Sequence, residues 1–547
     1  MREFSKVHLL GKWTQRKTPY VLCSSSRSAS TLPTRSRLAI GGTKLAQTQQ
    51  DGIYASVIAT SLQNSVTTFE SGLDGDEKLK RAYVDAAMFL KNVHNQDLTH
   101  HNAIELTSRF GYRTSETKIE GDVKQEDSSK GESVYHNMSK DYVQEVLGES
   151  SLVQLYQGKQ SNHVNEEQVP DECRQNLKLT FMAHNPEAQG SEMHAKNAPI
   201  DEVRDYIQEQ MTEAFIGLET GVAEGQITSY GVSSNGLSLP SSHPLHLSWE
   251  DVIHASTEAA KTVYGSDSGK VSNLSTIQLP INLLETYGLK VANRIKDHIC
   301  SPQRKEINLP SSIRIFAMRP LTCYPDRGTG TGLPFKLVDY LIPNSLTDPN
   351  DKSWTHQIKG TSSPLYTSVL NETMSHFDAT QILEIKEDEE RELTTEERET
   401  LDGCKLLQSM IHDLDANLTT GQIRSFAAYE EELYSKVVPL IHDTFEELDA
   451  ESAEVLHRFF QVHGNAVRHS ISKTTRALLK EGGEGVTKYE IPAEMALQNF
   501  ALNFLWDQNC TGEFASGPLI DKVVVGCPKA EHVIEAVKMA DGYDLTI

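Results

Sequence analysis

Long hydrophobic runs, paired cysteines, aromatic residues and positive charge are all scarce in this chain of 547 residues. A membrane-spanning helix needs roughly 20 consecutive apolar residues, and even Ile277–Leu289 is interrupted by Pro280, Asn282 and Glu285. The seven cysteines (Cys23, Cys173, Cys300, Cys323, Cys404, Cys510 and Cys527) include no C-x-x-C pair. Neither a zinc knuckle nor a redox dithiol is therefore written in the sequence, and the odd count points to reduced thiols. Lys and Arg number 52 against 76 Asp and Glu, a formal charge of −24. An acidic chain repels phosphates unless a basic patch is segregated on it, which argues against nucleic acid as a main partner. What is present, 38% hydrophobic and 23% charged residues with 34 Gly and 20 Pro, is ordinary globular usage. It predicts a soluble folded protein long enough to bury a large core.

The charge is unevenly placed. Arg2, Lys6, Lys12, Arg16, Lys17, Arg27, Arg35 and Arg37 face a single acid, Glu3, within residues 1–38, and Ser24, Ser25, Ser26, Ser28 and Ser30 run between them. A basic, serine-rich and acid-poor leader resembles an organelle transit peptide; the apolar run Val7–Leu10 is too short for a secretory signal. Residues 1–37 are thus expected to be a mitochondrial leader, with a plastid leader or a disordered tail of a cytoplasmic protein as alternatives. Taking eight bases and one acid from the totals leaves 44 against 75, so the remaining body carries −31.

Short apolar runs of strand type recur: Leu38–Ile40, Val66–Phe69, Ile104–Thr107, Leu177–Met182, Ile227–Val232, Thr276–Leu279, Ile313–Met318 and Lys522–Val525. Amphipathic stretches alternate with them, among them Asp76–Met88, Lys140–Leu147, Ile200–Leu218, Trp249–Val263 and Leu283–Ile299. Alternation of buried-type strands with helices indicates βαβ units, and eight such units close most economically as an α/β TIM (β/α)8 barrel, with function at the C-terminal ends of its strands. Two gaps interrupt the spacing. Thr114–Ser133 is polar and reads as an exposed loop. Leu321 and Lys522 lie 201 residues apart, far more than one crossover needs, so a large, mainly helical insertion is expected between strands 7 and 8. It contains the acidic run Glu384–Asp402 and two helical patterns, Ile423–Leu448 with a kink at Pro439 and Val455–Ile471. The expected division is 38–325 for strands 1–7, 326–489 for loop and insertion, and 490–547 for strand 8 and a C-terminal helix. The insertion is either a cap on the barrel or a module for a protein partner.

Gly328-Thr-Gly330-Thr-Gly332 lacks the Lys-Ser/Thr of a P-loop, and His100-His101 and His243/His246 lack partners at metal spacing. The informative segments sit at the strand ends: Ala183-His184-Asn185-Pro186-Glu187, Tyr230–Gly236, Ile277–Glu285, Arg319-Pro320-Leu321 and Val523–Val533. In this order and spacing they resemble the aldo/keto reductase superfamily, in particular its galactose dehydrogenase-like branch, over roughly residues 38–325 and 490–540. That resemblance implies NADP(H) held extended across the barrel mouth, and hydride transfer to a small aldehyde or ketone. Carried over by position, Ser233, Ser234 and Gln278 would meet the nicotinamide carboxamide, although Ser234 stands where the family usually has Asn. Pro320 and Leu321 would lie by the diphosphate, and Gly526, Pro528, Lys529 and His532 would hold the adenosine end, where Lys529 suits a 2′-phosphate.

The family's proton donor is a Tyr tuned by a Lys paired to an Asp, with a His orienting the substrate. Matching Thr68-Phe69-Glu70-Ser71 to that pattern puts Glu70 at the Asp, and counting five onward reaches Gly75 where Tyr is expected. Arg109 replaces the Lys, and only His184 is retained. Arg cannot deprotonate and has a different geometry, so His184 or Tyr112 would have to supply the proton. Two readings follow: a reductase with a modified tetrad, or a catalytically degenerate barrel serving as a cofactor-sensing or protein-interaction module.

Overall fold

The computed structural model describes residues 35–544, apart from stretches within 43–50, 73–74, 95–102, 116–117, 126–132, 159–175, 303–311, 325–334, 339–360, 379–391, 421–424, 446–447, 483–487 and residue 494. The basic leader through residue 34, the pair His100-His101 and the glycine-rich Gly328–Gly332 lie outside the described residues. Arg35–Arg37, the last residues of the expected leader, form a helical turn tied into the body. Arg37 donates to the carbonyls of Ile520 at 3.2 Å and Trp506 at 3.1 Å.

Eight strands pair in parallel and close on themselves: β1 (Leu38–Gly42), β2 (Thr68–Ser71), β3 (Ile104–Phe110), β4 (Leu177–His184), β5 (Ser229–Ser233), β6 (Leu274–Pro280), β7 (Arg314–Met318) and β8 (Lys522–Gly526). Each strand neighbours the next in sequence, and β8 returns to β1 with Leu38 opposite Val523 and Ile40 opposite Val525. The helices Asp51–Gln63, Asp76–His94, Lys140–Glu149, Ile200–Ala223, Trp249–Tyr264 and Tyr287–Cys300 lie between successive strands, and Ala530–Asp544 follows the last. This is the TIM barrel expected from the alternation, with strand ends differing by no more than three residues. Asp51–Gln63 was not expected. Its Tyr54, Val57, Ile58, Ala59 and Leu62 are all buried, and a helix apolar on most of its faces gives little amphipathic signal.

Side chains alternate across a strand. One set, including Leu106, Leu179, Phe181, Val232, Ile277, Ile315 and Val523, packs outward with the helices into the main core. The other set faces inward and is unusually polar for a fold whose interior is commonly filled by branched aliphatics. Ala39, Phe316 and Val524 make a small apolar cluster inside. Below it Arg314 of β7 reaches Glu105 of β3 with two bonds, 2.7 and 2.6 Å, and Thr180 donates to the same carboxylate at 3.0 Å. Strands 3 and 7 are not neighbours, so this pair spans the barrel.

The insertion between β7 and β8 is helical, as expected. Pro364–His376, Thr395–Thr419, Phe426–Thr444 and Ala450–Glu481 share a core built on Tyr366, Leu407, Ile411, Tyr429, Phe459 and Val467. A separate cluster joins Leu479 and Leu497 to Leu283, Leu284 and Phe335 at the barrel end. Pro439 cannot donate to the carbonyl of Ser435, and the backbone widens into a π turn over Leu433–Val437 just before it. The acidic run ends in a helix: Thr394 and Glu397 form a capping box at the start of Thr395–Thr419. Two expectations need correction. Thr114–Ser133 is not wholly a loop, because Tyr112–Ser115, Ser133–His136 and Val123–Gln125 form a three-stranded antiparallel sheet. The helix expected from Leu283 begins only at Tyr287, because the Asn282 side chain accepts from the backbone N–H groups of Leu284 and Glu285, at 3.0 and 2.9 Å. Among the described residues no helix is long and apolar enough to cross a membrane.

Two buried carboxylates anchor this fold. Burial pushes the Glu105 carboxyl up, but the Arg314 bonds and charge, with Thr180 and Lys522, outweigh it and hold the group below its ordinary 4.5. The unfolded chain then takes up this proton at a higher pH than the native chain. The stabilisation is complete above pH 4.5 and is lost as pH falls through the native value. Urea denaturation should show a Glu105→Gln variant that is weaker than wild type at neutral pH but loses less on acidification. Glu219, fully buried, accepts from Tyr230 Oη (2.9 Å), Tyr264 Oη (3.0 Å), and the backbone and side-chain amides of Asn273 (2.8 and 2.6 Å). Glu219→Ala would remove the acceptor these four donors share and leave the Asn273 backbone N–H without it, and equilibrium denaturation should register a loss of about 3 kcal/mol.

Candidate active site at the barrel mouth

At the C-terminal end of the barrel a second network crosses the interior. Glu70 of β2 is fully buried and pairs with Arg109 of β3, while Gln278 of β6 donates its amide to the same carboxylate. Arg109 also donates to Gln278 Oε1 at 3.1 Å, and Ser233 of β5 donates there at 2.5 Å. The β2 and β3 registers place Glu70 beside Thr107, so Arg109 sits one inward step higher and reaches back to it. Glu70, Arg109, Ser233 and Gln278, separate motifs in the sequence, are thus one contact group.

His184 ends β4 at the edge of this group. Its ring meets that of Tyr112 edge-on at 5.3 Å. Burial, then the charge of Arg109 and the neighbouring His136, hold the His184 imidazole well below 6.5; it is neutral at physiological pH, and its Nδ1 is buried without a partner. Arg109 Nε is likewise buried without a partner. Burial pushes the Tyr112 phenol up to about 12, against the opposing bond from Asn185. Asn185 Nδ2 donates to the Tyr112 oxygen at 3.2 Å, which leaves the phenol's own proton free to donate. A pocket of about 330 Å³ opens beside this group, lined in part by Asp76, Ser108, Arg109, Tyr112, Glu149 and Ser150. Asp76 accepts from Ser108 and Ser150, each at 2.8 Å.

The remaining expected residues divide. Gly75 is buried and its carbonyl accepts the first bond of helix Asp76–His94, from Leu79 at 2.9 Å; the position expected to carry a phenol is a helix cap. Ser234 is fully buried and donates to Glu187 at 2.8 Å, and Gly236 N donates to the other Glu187 oxygen at 2.8 Å. The Ala183–Glu187 motif therefore stitches the end of β4 to that of β5, helped by Asn185 in the left-handed region at φ 50°. Pro320 follows Arg319, also left-handed at φ 57° and paired with Glu285 at 2.8 Å; Leu321 packs on the core. Gly526, Lys529 and His532 are exposed and Pro528 half-buried at the end of β8.

The fit to NADP(H) differs at the two ends. A Cβ added at Gly526 would meet no atom within 4 Å, so the end of β8 is open beside an exposed Lys529, as a bound phosphate would need. At the other end Gln278 is engaged: its oxygen accepts from Arg109 and Ser233, and its amide serves Glu70. In this arrangement one amide hydrogen of Gln278 is left for the expected carboxamide grip. No model of a known protein family matches the chain, and no curated protein is significantly similar to it.

Three residues escaped sequence reasoning. Tyr54, from the unexpected helix, is buried with its hydroxyl 3.5 Å from the Glu70 carbonyl. His136, against the His184 carbonyl, and Gln189, bonded to His136, are fully buried; His136 lies three residues beyond the stretch Thr114–Ser133 read as a loop, and nothing in its spacing tied it to the strand ends. Glu70→Ala should cost about 3–5 kcal/mol in chemical denaturation, because it leaves Arg109 charged and unpaired in the barrel, whereas Glu70→Leu with Arg109→Met should cost much less.

Proposed function

We propose that this barrel is an NADP(H)-dependent carbonyl reductase of aldo/keto reductase type, in which Tyr112 at the end of β3 acts as the proton donor. The observation that carries this reading is the Tyr112 hydroxyl, which accepts from Asn185 and keeps its own proton, against the ring of His184. A neutral His184 is a poor source of a proton but a good hydrogen-bonding partner for a carbonyl oxygen. Tyr112, protonated well above neutral pH, keeps its proton until charge develops on that oxygen. Arg109, held by Glu70, lines the same pocket as Tyr112. NADPH, when bound, supplies the hydride, and Gly526, Pro528, Lys529 and His532 would hold its phosphate-bearing end. The product is an alcohol, and Tyr112 regains its proton from solvent.

The engagement of Gln278 by Arg109 and Ser233 and the cap role of Gly75 favour the second reading, a degenerate barrel acting as a cofactor-sensing or interaction module. The independent core of the helical insertion supports a partner-binding role within that reading. Titration with NADPH by fluorescence, followed by its oxidation against a panel of aldehydes and ketones, separates the two. Turnover that Tyr112→Phe lowers by roughly 10²–10⁴-fold supports the reductase. Binding without turnover supports the degenerate barrel, and absence of binding removes the cofactor from both.

A further inference from the structure

The small sheet after β3 is braced internally and tied to the mouth through Lys124 and His136. Arg113 and Asp122 pair inside it, Asn137 donates to the same carboxylate at 3.0 Å, and Arg113 lies 5.2 Å over the ring of Tyr135. Lys124 N donates to Glu192 at 3.0 Å, tying the sheet to the segment that follows β4. Its last residue, His136, opposes Tyr112 in register and is fully buried. The His136 ring meets Tyr112 edge-on at 4.7 Å. Its Nδ1 lies 2.9 Å from Gln189 Nε2, and that nitrogen also donates to the His136 carbonyl at 2.8 Å. An amide NH2 can only donate, so Nδ1 accepts and the proton sits on Nε2. That proton points at the backbone carbonyl of His184, 2.8 Å away. Gly111 makes room for the contact: at φ 129° a Cβ there would come within 2.9 Å of His136 Nε2 and 3.0 Å of the His184 carbonyl.

We infer that the sheet is a built part of the active site and that His136 is a positioning residue, setting His184 through its carbonyl and Tyr112 through its ring. The inference rests on the reductase reading for its kinetic consequence, but the placement of His184 is measurable without turnover. His136 touches no substrate; it holds at fixed distance the two groups that would share the carbonyl oxygen. Misplacement of such groups by about 1 Å can cost on the order of 100-fold in rate.

The test compares His136→Gln, which keeps a donor near the Nε2 position, with His136→Asn, which is polar but too short to reach the His184 carbonyl. Spectra of histidine-labelled protein report the His184 ring, and steady-state kinetics report kcat and KM for a carbonyl substrate. The expected result is a His184 resonance displaced in the Asn variant and near wild type in the Gln variant. In parallel, kcat should fall roughly 10- to 100-fold in the Asn variant only, with NADPH affinity unchanged in both. Equal His184 spectra in wild type and both variants, or an equal kcat loss in both with the His184 signals unmoved, overturns the inference. A wild-type protein that reduces no carbonyl overturns the reductase reading instead, and the His184 spectra then decide the positioning role alone.

Discussion

The ion pair of Glu70 and Arg109 inside the closed barrel is the contact on which the rest of the mouth depends. Both charges have left water, so each must be answered by the other and by neutral partners. Gln278 supplies the answer from the opposite side of the barrel, bridging carboxylate and guanidinium, and Ser233 completes its oxygen. Because the members come from β2, β3, β5 and β6, the network ties opposite walls of the barrel together at this level. It also places the Arg109 charge beside His184, contributing to that ring's neutrality.

A matching pair, Glu105 with Arg314, spans the lower end. Also inside the barrel lies the small apolar cluster of Ala39, Phe316 and Val524. The apolar stabilisation of this protein is therefore concentrated outside the strands, where the helices pack, and in the separate core of the insertion. The inward face holds mainly hydrogen-bonded polar groups, which are directional and costly to leave unmet. Such an interior specifies one strand register more strictly than an aliphatic filling, since a shift of one residue would expose each pair to the wrong face.

The barrel was legible because its outward residues, such as Leu179, Phe181, Ile315 and Val523, form short apolar runs that alternate with amphipathic helices. Glu70, Arg109, His184, Ser233 and Gln278 were legible as strand-end residues, and their convergence follows from the closure of the sheet. The sheet holding His136 was not, because its strands are short and polar and the stretch between them reads as loop. The helix carrying Tyr54 was missed for the opposite reason, being apolar on most faces and without a clear period.

By itself the sequence determined the alternation of strands and helices, the place of the helical insertion, and which polar residues stand at the strand ends, since each is encoded by local pattern and spacing. Only the tertiary structure decided what those residues do. Hydrogen bonds across the barrel tie Gln278 to Glu70 and Arg109, on strands that are not its neighbours, Ser233 binds it from the adjacent strand, and a helix cap takes Gly75. The turn at Gly111 carries Tyr112 to His184, and no local pattern encodes a contact between residues so far apart along the chain.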